Sequence, residues 1–311
     1  MDQFLSLFNV ELLTATFRIA TPLLLAALGG VLCMRASVFN IALEGKMLFG
    51  AFFAIWAVEQ TGSTWLGLLG GMIAGIVAGL IFALATVRFK ADHIIAGIAI
   101  NLAAIGVTGF VLKVVFGVSG QYRPDNMIPL PSVNVPILRD IPLLGPALNN
   151  QTPMVYLSLF MVIVTYILLF RTPFGLAVRS VGEFPDAART SGIKPEVIQW
   201  LVIIWAGALA GLAGAHLSTG YVSQFTERMT GGRGFTAFSA VIFGNSHPVF
   251  TFLATLVFGF AEALGIRVQL EGFGLPPSLL QTFPYILAIV VLTVSSAVRT
   301  RKAGSMKLLR S

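Results

Sequence analysis

Three histidines, a single cysteine and thirteen carboxylates are the side chains of this sequence that could do acid–base, nucleophilic or metal chemistry. His93, His216 and His247 lie far apart, and no cluster of His, Asp and Glu falls at metal-ligand spacing. Cys33 alone can build neither a disulfide framework nor a multi-cysteine metal site. Phosphoryl transfer would call for a GxxxxGK[ST] loop; Gly45-Lys46 is followed by Met47 and lacks the upstream glycine. The residues therefore give no catalytic, cofactor-binding or metal-binding set, and any ATP hydrolysis must be carried out by another chain. What stands out instead is a handful of polar residues inside apolar surroundings: Asn40, Glu44, Lys46, Asn101 and Glu262.

Composition explains those surroundings. Of 311 residues 56% are hydrophobic and 11% charged, with 32 Gly, 25 Phe and a mean hydropathy of +0.88. Soluble domains carry about 25% charged residues, so no water-facing surface can be built, and soluble, disordered and coiled-coil classes are excluded. The net charge of +7 comes from basic residues scattered between apolar runs, which argues against nucleic acid. About 20 apolar residues cross a bilayer as a helix. Full-length runs occupy 10–32, 65–87, 94–116, 153–170, 197–220, 249–264 and 279–298; 47–58 and 234–244 are shorter and are expected to be partial or discontinuous helices. The expectation is an all-α polytopic membrane protein of nine membrane segments, one transmembrane domain over 1–311. The first run follows acidic Asp2 and Glu11 with no basic leader, so it is expected to be retained.

Lys and Arg set the orientation. Placing 171–194 and the basic tail 299–311 in the cytoplasm puts thirteen of the twenty inside and six outside, with Arg18 within the first span. The C-terminus is then cytoplasmic, the N-terminus external, and the proline-rich stretch 117–152 an irregular external loop.

Local breaks refine the expectation. Gly67, Gly71, Gly75 and Gly79 recur every fourth residue and form one bare helix face for close packing; Gly207, Gly211 and Ala215 repeat the spacing. Glu44 inside a hydrophobic stretch must be paired, near an interface or beside water, with Arg18 and Arg35 as candidate partners. Gly231, Gly232 and Gly234 turn the chain into a helix too short to cross, and Gly244-Asn245-Ser246-His247-Pro248 stops it. Broken segments in both halves, each ahead of an apolar helix, fit duplicated transporter halves around a central site. On this reading Asn40, Glu44, Asn101, Gly234, Phe235 and Asn245 border a translocation route. Between 171 and 194, Pro185 suits a first helical turn, Asp186 and Arg189 complement the two dipole ends, and Gly192 suits a left-handed C-terminal cap. A mere connector needs no such helix.

Three runs carry a family resemblance. VGEFPDAARTSGI (181–193) resembles the cytoplasmic coupling loop of ATP-binding-cassette importer permeases of the branched-chain amino acid and ribose type. FNIALEGKMLFGAF (39–52) resembles an early motif of that family, and GGRGFTAFSAVIFGNSHP (231–248) its late re-entrant helix; the nucleoside and simple-sugar subgroup fits best. The resemblance implies uptake without covalent chemistry. Solute would be delivered by an external binding lipoprotein to a path formed with a second permease, in a bacterial inner membrane. ATP and magnesium would be held by a partner ATPase gripping Gly182, Glu183, Pro185, Asp186, Ala187, Ala188, Arg189 and Gly192. Two departures are Lys46, where relatives carry Gln, and Phe184, where Asn is common. A branched-chain amino acid permease and an ATPase-independent carrier are the alternatives; the latter would be expected to show an acidic relay beyond Glu44 and Glu262.

Overall fold

The computed structural model describes residues 9–125, 127–135 and 144–270. Helix α1 (Val10–Arg35) begins at Asn9, whose side chain accepts from the Leu12 N–H, and every residue from Ile19 to Cys33 is buried. It is the central helix. Helix α2 (Leu43–Thr61), α3 (Thr64–Ala83) with a π-helical turn over Leu84–Arg88, and α4 (His93–Phe116) follow. A short helix α5 (Leu144–Leu148) precedes α6 (Pro153–Arg171), α7 (Pro173–Glu183) and α8 (Pro185–Thr190). Helix α9 (Pro195–His216) runs into a second π-helical turn over Leu217–Tyr221, and α10 (Arg233–Phe243) and α11 (Pro248–Leu270) complete the described chain.

Six of these helices are long and apolar enough to cross a membrane: α1, α3, α4, α6, α9 and α11, the last-turn π segments included. They correspond to six of the expected full-length runs; the seventh, 279–298, and the tail 299–311 lie outside the described residues. Of the nine expected segments, six are thus full-length apolar helices, the two shorter ones fall on α2 and α10, and the ninth lies outside the described residues. The segment expected to be broken at 47–58 is one continuous 19-residue helix, α2, starting at Leu43. Its Glu44 and Lys46, which looked like an interruption, are instead absorbed into its first turn by tertiary partners. The segment at 234–244 is a helix of 11 residues, about 16 Å long.

Packing inverts the soluble pattern. On α3, Gly67, Gly71, Gly75 and Gly79 are turned inward, while Trp65, Leu69, Ile73 and Val77 on the other side are exposed. Large apolar side chains on the outside and bare backbone within suit a helix solvated by lipid, where association depends on close van der Waals contact. Gly71 abuts Gly50 of α2 and Ala215 of α9, and Gly75 abuts Gly207 and Gly211 of α9. The stretch expected to be an irregular loop is ordered in places: besides α5, Val133 bridges Gln151, Gln121–Tyr122 pairs antiparallel with Phe225–Thr226, and Tyr122 stacks on Phe116 at 4.1 Å. Burial and the neighbouring Glu59 carboxylate push the Tyr122 phenol up to about 12.

Candidate functional site

Two places gather the polar residues. The first is where the N-termini of α2 and α10 meet. The Glu44 carboxylate accepts from the Thr230 hydroxyl at 2.6 Å, the Gly232 N–H at 2.9 Å and the Gly234 N–H at 2.6 Å. It thus supplies the acceptor that the open N–H groups and positive dipole end of α10 require. Gly232 enters that helix with φ +86°, and a methyl on Gly234 would sit on the Glu44 backbone, so glycine is needed at both. The expected partners Arg18 and Arg35 are not used: Arg35 donates to the Ser246 carbonyl at 2.8 Å and to that of Asn245 at 3.3 Å. A backbone cradle satisfies an anion as well as a guanidinium does, and nothing in the local sequence distinguishes the two.

One turn away, Asn101 of α4 clamps the chain entering α2. It accepts from the Gly45 N–H at 2.8 Å and donates to the Ile41 carbonyl at 3.2 Å. Asn40 accepts from the Lys46 ammonium at 2.9 Å and donates to the Cys33 sulfur at 3.4 Å. Lys46 is fully buried, 4.5 Å from the centroid of the Phe82 ring, with no carboxylate within ion-pair distance among the described residues. It is a lock on α2 rather than a side chain lining open space. Burying an ammonium without a counter-charge is costly. Replacing Lys46 by Gln, which can still donate to Asn40, is therefore expected to raise the thermal midpoint in detergent; a lowered midpoint would mean the charge itself holds the fold. Asn40, Glu44, Asn101 and Gly234 thus come together, with Phe235, the residue after Gly234, exposed, whereas Asn245 lies at the opposite end of that helix.

The second place is the exposed corner of α7 and α8. Pro185 opens α8, Asp186 lies in its first turn and Arg189 in its last. The Ile193 N–H bonds the Ala188 carbonyl and Gly192 follows with φ +84°, a left-handed helix stop. Ala188 is buried, while Glu183, Phe184, Pro185, Asp186, Ala187 and Arg189 are exposed. Arg189 also bonds Glu196 at 2.7 Å, tying α8 to the start of α9. Helix α7 was not anticipated. Its signals are Thr172, whose hydroxyl accepts from the Gly175 N–H, Pro173 at the first turn, and the buried series Gly175, Val178 and Val181. Its last turn touches the core: Gly182 lies against the Arg35 carbonyl, and Ser37 donates to the Gly182 carbonyl at 2.7 Å. The corner is thereby joined to the end of α1 and to the turn that carries Asn40. Among the described residues no three His, Cys, Asp or Glu lie close enough to hold a metal.

Comparison with known proteins adds four findings. The family model described as "Branched-chain amino acid transport system / permease component" matches residues 12–292. The chain is similar to guanosine ABC transporter permease protein NupQ of Bacillus subtilis (strain 168), 38% identical over 293 residues and covering 90% of each chain. It is also similar to nucleoside ABC transporter permease protein NupC of Lactococcus lactis subsp. cremoris (strain MG1363), 35% identical over 284 residues, covering 88% of this chain and 89% of the other. Among solved structures, a metal-chelate type ABC transporter in an inward-facing conformation aligns with a TM-score of 0.50 and 16% identity, covering 92% of this chain and 86% of that one; the likeness is one of fold.

Proposed function

The chain belongs to the branched-chain amino acid transport system permease component family, and from that premise we propose that it carries nucleosides or related simple sugars. It is a multi-pass membrane protein and the permease subunit of an ABC transporter, working with an ATPase and a substrate-binding protein. The solute class rests on its similarity to relatives named for guanosine and nucleosides, which favours that class over a branched-chain amino acid.

The observation that carries the mechanism is the exposed helix α8 with its rigid connection to the interior. In this reading the 171–194 segment and the C-terminus face the cytoplasm, the side favoured by the Lys and Arg distribution. The ATPase grips α8 through Glu183, Pro185, Asp186, Ala187 and Arg189, shaped by Gly182, Ala188 and Gly192. Movement of α8 passes through Gly182 to the end of α1 and on to the Asn40–Lys46 lock. Helix α10 is re-entrant, and its Glu44-capped end, with Asn101 and Phe235, borders the route; Asn245 marks its cytoplasmic end. ATP and solute shift the balance between outward and inward states only through unequal affinity for them.

A second permease covers the face carrying Arg18. That side chain is exposed although it lies about 12 Å along α1 from Val10. On the same face Arg233 pairs with Glu262, both partly exposed. A charge facing hydrocarbon costs about 2.5–3.5 kcal/mol, so protein or water must cover it.

Reconstituted with its ATPase, sister permease and binding protein, the chain is expected to accumulate labelled nucleoside only when ATP is supplied; uptake without ATP would overturn the reading. Asp186→Lys changes a side chain that is 97% exposed, so insertion should be unaffected and thermal stability should fall only slightly. ATP-driven uptake should fall at least about tenfold, because a like-charge contact at a protein interface costs several kcal/mol. Unchanged uptake would remove the docking role.

A further inference from the structure

The end of α1, the last turns of α7 and the turn between α10 and α11 enclose a cavity of about 210 Å³ lined by Met34, Arg35, Arg179, Gly182, Glu183, Asn245 and Ser246. Arg35 is the last residue of α1, and Pro248, which opens α11, follows the Asn245–His247 turn. Phe170, next to the last residue of α6, lies under both guanidinium groups: its ring centroid is 5.9 Å from the Arg35 Cζ and 5.4 Å from that of Arg179. Two like charges share one ring, yet neither has a carboxylate oxygen within 4 Å among the described residues. Arg35 spends two N–H groups on the Ser246 and Asn245 carbonyls. Among the described residues Arg179 makes one hydrogen bond, from Nε to the Gly175 carbonyl at 3.4 Å, which leaves the terminal nitrogens of its planar fork uncommitted there. His247 stands against Phe170 at 5.1 Å with a buried Nδ1 that has no partner among the described residues. Burial first, and then the Arg35 charge, hold the His247 imidazole below its ordinary range, so the neutral ring is favoured. Among the described lining residues Glu183 is the one acid, which leaves them with an excess of one positive charge.

We propose that this cavity binds a phosphate-bearing anion, the headgroup of an anionic phospholipid, between Arg35 and Arg179. A guanidinium fork matches phosphate oxygens in geometry as well as charge. The cavity lies at the ends of membrane spans, where headgroups reside, and basic pockets between spans there suit lipid phosphate. A bound phosphate would tie α1, α7 and the α10–α11 turn together directly behind the α8 corner. The inference goes beyond the transport reading and stands on the cavity alone, so it survives a different solute or partner.

Arginine modification by phenylglyoxal, read at Arg179 by peptide mass spectrometry, tests it on the full chain in nanodiscs. Phosphatidylglycerol nanodiscs should protect Arg179 about fivefold relative to phosphatidylcholine nanodiscs, the weight of one basic residue at an anionic surface. Arg267, at the opposite end of the α11 span, is the internal control for general surface charge. In Arg179→Lys and Arg179→Gln variants, retention of phosphatidylglycerol through detergent extraction should fall by a similar factor, with Gln falling further. Protection in phosphatidylcholine by added inorganic phosphate, with none from phosphatidylglycerol, would support the phosphate site and assign it to a soluble source. Equal labelling in all arms, or protection by the ATPase subunit alone, would overturn the proposal.

Discussion

Gly75→Leu is expected to abolish assembly of the helix bundle. A Cβ at Gly75 would fall onto the Gly207 carbonyl oxygen and lie 2.6 Å from the Gly211 Cα, while Cβ atoms built at Gly207 and Gly211 would strike the Gly75 backbone in return. All the atoms met are main chain, so no rotamer change can make room. Separating α3 from α9 then opens the most intimate contact of the fold along several turns, because Gly71 and Gly79 face the same pair of helices. Overpacking a well-fitted core costs about 1–3 kcal/mol and occasionally more, and a backbone-to-backbone seam lies at the upper end. The control is on the same helix. Ile73 is 57% exposed on the opposite face, so Ile73→Leu should leave the thermal midpoint in detergent unchanged. Gly75→Ala should fall between the two. A Gly75→Leu protein that elutes as a monodisperse peak with the wild-type midpoint would mean α3 and α9 can part without penalty, and the packing account of the glycine stripe would fail.

That stripe was legible because spacing alone places residues on a helix face and only glycine leaves that face bare. The same holds for α8, whose Pro185, Asp186, Arg189 and Gly192 each act within one or two turns of themselves. Features that depend on distant residues were not legible. Glu44 and Lys46 read as a break in an apolar run, since nothing nearby announces that the carboxylate will meet N–H groups more than 180 positions later or that Phe82 will cover the ammonium. Charge inside hydrophobic sequence was weighed as a cost, correctly; the currency that offsets it was the free end of another helix. Helix α7 was passed over for a different reason. Its buried series is carried by a glycine and two valines among mostly half-buried residues, a weak pattern beside the strong punctuation of α8. The π-helical turns after α3 and α9 leave no compositional mark that separates them from the α-helices they extend.

Glu44→Ala is expected to do the most damage at the candidate route, and the comparison with Glu44→Gln tells why. The carboxylate accepts three hydrogen bonds, two of them from the N–H groups that open α10. Alanine leaves those two donors and the Thr230 hydroxyl facing a gap in partly buried surroundings. Hydrogen bonds to a charged group contribute about 1.5–3 kcal/mol each and do not add in full, so a loss of about 3 kcal/mol is expected. Gln keeps an acceptor oxygen but turns its NH2 toward a backbone donor and gives up the charge that complements the helix dipole. Its loss should be roughly half that of Ala. Stability alone does not identify a transport role, since either variant could simply loosen α10. The discriminating measurement is nucleoside uptake per correctly inserted complex, taken well below the thermal midpoint of each variant. If Glu44 holds one end of a helix that must shift during transport, uptake in Glu44→Gln falls further than its modest loss of stability predicts, while ATP hydrolysis continues. If uptake simply tracks the folded fraction across both variants, Glu44 is a helix cap and the route must be sought elsewhere on α10.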